Sequence, residues 1–110
     1  MNIRNRSFLA AGLVAATFAL AMPASADDHV VSQANKAFTT VLVKAKVGDT
    51  VTFRNDDEFA HNIFSLSDTQ NFDLGSYKKG EVRQVKLTKP GVIEVECAIH
   101  PDMKMKIEVK

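Results

Sequence analysis

Four side chains in this sequence have the types and spacing to hold a soft metal ion. Cys97, His100 and Met103 fall within Cys97-Ala98-Ile99-His100-Pro101-Asp102-Met103, and His61 stands 36 residues before the cysteine. A thiolate and a thioether are soft donors, and imidazole suits both oxidation states of copper. Two imidazoles and a thiolate in a trigonal plane, with a long thioether contact, make a site that neither Cu(I) nor Cu(II) strongly prefers. One-electron transfer there needs little nuclear rearrangement. Zinc could occupy the same donors, but structural zinc sites rarely use methionine, and no pair of cysteines is present.

Each residue alone has an ordinary reading. A cysteine at a strand end is usually a small core residue, a buried methionine fills gaps, and a loop histidine is solvated. The export signal makes the cysteine harder to dismiss. Arg4 and Arg6 form a positive n-region, Phe8 to Ala21 is a mostly apolar run, and Ala24-Ser25-Ala26 offers the small residues of a cleavage site. A signal peptide is therefore expected over 1–26, with one domain over 27–110 in the periplasm. The leader holds no cysteine for lipid attachment, and Asn5 stands where a twin-arginine signal needs arginine. Exported domains of this size often depend on disulfides, yet the chain has a single cysteine. A free thiol in an oxidising compartment needs another reason to persist, and a bound metal is one.

The elements that must position these groups read as strands. Val41, Val43, Ala45 and Val47 alternate with Leu42, Lys44 and Lys46, as a half-buried strand does. Gly48-Asp49 turns the chain into Val51 and Phe53, and Asn55-Asp56-Asp57-Glu58 reads as a polar, solvated loop before Ala60 to Leu66. An irregular stretch anchored by Phe72, Leu74 and Tyr77 leads to Val82–Leu87. Ile93, Val95 and Cys97 share one face of the next strand, and Met105, Ile107 and Val109 one face of the last. His29 to Lys36 reads as a short lead-in. About six to eight short strands with regular turn signals predict an all-β, Greek-key sandwich, with Cys97 at one pole.

The motifs now add up to a resemblance. Val47-Gly48-Asp49-Thr50-Val51-Thr52-Phe53, Ala60-His61-Asn62-Ile63, Pro90-Gly91 and Glu96-Cys97 resemble the cupredoxins, the plastocyanin, pseudoazurin and amicyanin group, over essentially the whole mature chain. The Cys-x-x-His-Pro-x-Met spacing is similar to the amicyanin branch. The resemblance implies a one-electron carrier holding one type 1 copper ion. It implies His61, Cys97 and His100 as equatorial ligands and Asn62 beside the cysteine sulfur. It also implies transient redox protein partners around an apolar surface at His100. The segment from Ser65 to Ser76 fits no branch cleanly, so no particular partner carries over.

The axial ligand stays open between Met103 and Met105, which share one strand parity. Pro101, straight after the histidine, favours a tight turn to Met103. Cleavage after Ala26 would also expose Asp27-Asp28-His29, a terminus able to chelate Cu(II) or Ni(II) through its amine, amides and imidazole. Without Arg4 and Arg6 the chain has 12 Lys and Arg against 13 Asp and Glu, with one tyrosine and no tryptophan. That excludes a nucleic-acid surface of the usual kind. An enzyme is disfavoured, since Cys97 and His100 lie too close in sequence for an independent oriented base and a methionine ligand closes the metal's open position. The expected protein is a monomer without a membrane anchor once processed. The alternative function is a copper-binding module that stores or delivers the metal.

Overall fold

Apolar alternation at a period of two becomes strand throughout the computed structural model, which describes residues 25–110. In chain order the strands are β1 (Asp28–Ala34), β2 (Ala37–Phe38), β3 (Leu42–Ala45), β4 (Thr50–Asn55) and β5 (His61–Ser65). Then follow β6 (Phe72–Tyr77), β7 (Val82–Lys86), β8 (Gly91–Glu96) and β9 (Lys104–Val109). One sheet runs β2-β1-β4-β7 and the other β3-β9-β8-β5-β6. The hairpins β5–β6 and β8–β9 each stay within one sheet, while β7 between them crosses to the other. The signal segment expected over 1–26 lies outside the described residues except for Ser25 and Ala26.

Nine strands replace the expected six to eight, and the differences have local causes. The stretch read as a lead-in is β1, paired in parallel with β4 from Asp28↔Thr50 to Gln33↔Asn55. Its alternation is hidden because a buried inward position carries the polar Gln33 while Val30 faces solvent. The stretch read as irregular contains β6. Its register against β5 shifts between Ile63 and Phe64, and the bulge interrupts the alternation of Phe72, Leu74 and Tyr77. In β3 only Val43 and Ala45 are buried; Val41 and Val47 lie beyond the strand ends and are exposed.

The core lies between the sheets. Val31, Val51, Phe53 and Val85 come from the first, and Val43, Ile63, Ile93, Val95, Met105 and Ile107 from the second. Phe38 meets Phe53 edge-on, with ring centroids 6.3 Å apart. Gly91 opens β8 at φ +134°, where an added Cβ would lie 2.9 Å from Thr69 Oγ1. Gly91→Ala is therefore expected to cost about 1–3 kcal/mol, read by denaturant unfolding. A loss below that range would mean that the turn relaxes freely. At one end of the sandwich, the 56–60 connection after β4 and the 97–103 connection after β8 come together, and the chemistry-bearing residues gather there.

Candidate metal centre

His61 is the first residue of β5 and Cys97 directly follows the last residue of β8. Both are buried, Cys97 with 1 % of its surface exposed, while His100 in the same connection is half-buried. His61 Nδ1 lies 3.8 Å from Cys97 Sγ, and His100 Nδ1 lies 3.9 Å from the same sulfur. The three donor atoms fall within 4.8 Å of one another. A metal held at about 2.1 Å from an imidazole nitrogen and about 2.3 Å from a thiolate sulfur, at a trigonal angle, keeps these donors about 3.8 Å apart. The donor set fits a soft metal ion in both chemistry and spacing.

Backbone geometry fixes the connection that carries Cys97 and His100. Met103 N donates to His100 O at 2.9 Å, and Cys97 N donates to Met103 O at 3.3 Å. Asn62 ties this connection to β5, its Oδ1 accepting a 2.7 Å hydrogen bond from Ala98 N. The side chain expected near the cysteine thus holds the amide of the residue that follows it. Met103 is buried at the same pole. Met105 lies opposite Val95 in the β8–β9 ladder, one step further into the core.

The acidic run read as a solvated loop contains a residue of the site. Asp57 is only 8 % exposed, and its Oδ2 lies 2.7 Å from His61 Nε2. An ionised carboxylate only accepts, so Nε2 carries the imidazole proton and Nδ1 presents its lone pair towards Cys97. The carboxylate also accepts from Asn35 N at 2.7 Å and Lys36 N at 3.0 Å. Asn35 and Lys36, at φ 54° and 57°, form the two-residue turn between β1 and β2, which aims successive amides at one anion. Burial alone would raise the Asp57 carboxyl, but the bonds from His61 and the two amides outweigh it and hold it below its ordinary value. Asn55, fully buried, shapes the loop: its Oδ1 accepts from Asp57 N, and its Nδ2 donates to Phe59 O and Tyr77 O.

A carboxylate four residues before a candidate histidine ligand was the available signal for this contact, because metal-bound imidazoles commonly give their second proton to a carboxylate. Asp57→Asn is expected to weaken Cu(II) binding about 10–100-fold, measured by competition with a chelator of known affinity. Unchanged affinity would show that Asp57 only shapes the loop. No motif marks Phe59, which borders the same cluster. Its ring lies 5.2 Å from that of His61 and 5.4 Å from that of His100, centroid to centroid, and Lys36 Nζ sits 5.6 Å above it.

A buried thiol flanked by two imidazole nitrogens at the pole of a two-sheet sandwich defines a mononuclear copper protein of the cupredoxin class. The family model of the copper-binding proteins, plastocyanin/azurin family, matches residues 26–110, and the chain belongs to that family. It is 30 % identical over 102 residues to the methylamine utilization protein MauL of Methylorubrum extorquens, covering 92 % of this chain and 90 % of that one. Amicyanin-alpha of the same organism is 28 % identical over 103 residues, covering 91 % and 87 %. Among solved structures, the reduced Cu(I) form at pH 4 of an amicyanin variant matches with a TM-score of 0.71 and 27 % identity, over 81 % of this chain and 86 % of that one. Another reduced amicyanin variant matches with a TM-score of 0.72 and 27 % identity, over 79 % and 86 %. The protein is a copper-binding electron carrier.

Proposed function

We propose that His61, Cys97 and His100 are the equatorial ligands of one type 1 copper ion, that Met103 is its weak axial ligand, and that the protein shuttles electrons in the periplasm after cleavage at Ala26. The observation that carries this reading is the convergence of two Nδ1 atoms on one buried thiol at 3.8 and 3.9 Å. When bound, copper supplies the one-electron couple.

The chain's residues hold that couple in place. Cys97 and His61 are fixed by packing, the ladder start of β5 and the Asn62 tie, so the donors need not move between oxidation states. Asp57 keeps the proton of His61 at Nε2. Phe59, Ile99 and Pro101, all exposed, border half-buried His100 with apolar surface that limits water and leaves one imidazole near the outside. Such a small border suits brief contacts with redox proteins rather than a lasting complex. The net step takes one electron from a donor protein and gives it to an acceptor. No bond is made or broken, so the protein is a carrier and not an enzyme.

Burial of Cys97, His61 and Met103 favours a shuttle over a delivery module, because handing copper to an acceptor requires ligands that an incoming protein can reach. The copper-loaded protein is expected to show a reversible one-electron couple with fast self-exchange. Slow exchange with ready transfer of Cu(I) to an acceptor apoprotein would make it a delivery module instead.

A further inference from the structure

A second polar cluster lies at the other end of β4, away from the copper pole. Asp49 immediately precedes β4 and is only 1 % exposed. Its Oδ1 accepts a 3.0 Å hydrogen bond from Asp27 N. Its Oδ2 accepts one of 3.0 Å from Lys46 N and lies 2.9 Å from His29 Nε2. The backbone of Asp49 joins the same knot: its N donates to Lys46 O and its carbonyl accepts from Leu87 N. Asp49 thus gathers the start of β1 and the β3–β4 turn around its carboxylate and ties the end of β7 to its backbone.

Such a group is costly to bury without a cation. It is nevertheless ionised: the bond to His29 first, then the amides of Asp27 and Lys46, hold its carboxyl far below the ordinary range. None of these partners is a fixed positive charge, because two are peptide N–H groups and the imidazole is charged only when protonated. Lys44, Lys46, Glu108 and Lys110 line the shallow cavity beside the cluster, yet no lysine ammonium among the described residues bonds the carboxylate. Ser25, Ala26 and Asp27 are exposed, so the Ala26–Asp27 bond is open to a peptidase while the nitrogen it would release already faces Asp49.

We infer that processing completes this cluster: the α-ammonium group freed at Asp27 becomes the counter-ion of buried Asp49 and locks β1 onto β4. Hydrolysis breaks the C–N bond and adds water, leaving a carboxylate on Ala26 and an ammonium on Asp27. An α-amine is largely protonated at neutral pH. A neutral N–H donor becomes a charged one at the same 3.0 Å contact. The unprocessed chain, whose Asp27 nitrogen is an amide, lacks that charge. Chelation of Cu(II) or Ni(II) by the amine, amides and imidazole of Asp27-Asp28-His29 would compete with this arrangement. It would take the amine from Asp49 and consume amides where β1 begins its pairing with β4.

The inference rests on cleavage after Ala26, so the test separates the two. N-terminal sequencing of the exported protein should begin Asp-Asp-His; any other start overturns the processing site and the inference with it. Given that start, the metal-free protein is compared with the same protein selectively acetylated at its α-amine. A third sample keeps Ser25-Ala26 ahead of Asp27. The free-amine form is expected to melt about 4–8 °C above both, and Asp49→Asn should abolish the difference. Equal melting of the free and acetylated forms overturns the ion pair while leaving the processing site intact. Should Asp49→Asn fail to fold, the acetylation comparison decides alone.

Discussion

Cu(II) added to the protein is expected to produce an intense blue band, and Cys97→Ser is expected to abolish it. The band requires charge transfer from a thiolate to the metal, and Cys97 is the only cysteine in the chain. Its sulfur is buried, has no disulfide partner and lies between His61 Nδ1 and His100 Nδ1. Serine is close to cysteine in size, so the apo-protein should keep its fold while losing the soft donor. Circular dichroism of both apo-proteins provides the control. Colour as intense in Cys97→Ser as in the wild type would refute the assignment, as would a folded, copper-loaded wild type without colour.

The second large effect separates two methionines that are both buried. Met103 belongs to the connection closed by the Met103 N–His100 O and Cys97 N–Met103 O bonds, the one that also carries Cys97 and His100. Met105 pairs with Val95 and shares the buried face of Ile107 and Val109. Met105→Ala is accordingly expected to destabilise the apo-protein by about 2–5 kcal/mol, through lost burial and the cavity left behind. Met103→Gln replaces a thioether with a harder donor and is expected to move the reduction potential, with a smaller effect on apo-protein unfolding. Met105→Leu, nearly equal in volume, should change the potential little. Voltammetry and denaturant unfolding on all three variants check the division. A strong potential shift in Met105→Leu with none in Met103→Gln would reverse the assignment.

The same division explains how much of the molecule could be read from its residues. Strands with one clean apolar face were legible: Ile93, Val95 and Cys97, and Met105, Ile107 and Val109, are all buried as their parity predicts. Legibility failed where a buried position carries a polar side chain. Gln33 occupies an inward position of β1 and bonds Tyr77 Oη across the core, so β1 did not look like a strand. In β6 the bulge opposite Ile63 and Phe64 shifted the alternation that would have identified it.

The residues alone singled out the candidate donors, because donor softness belongs to residue type and the spacing of Cys97, His100 and Met103 is local. They also determined the sandwich, because alternation is a property of each strand alone. Tertiary structure alone decided what each carboxylate does. Asp56, Asp57 and Glu58 are indistinguishable as a run of acids, yet only Asp57 meets both His61 Nε2 and the amides of the β1–β2 turn. Asp49 likewise looks like an ordinary turn residue until the start of the first sheet brings His29 to it across 20 positions of chain and Asp27 across 22. A carboxylate's partners, and so its charge and its work, depend on groups distant in sequence that only the closed sandwich brings within hydrogen-bonding distance.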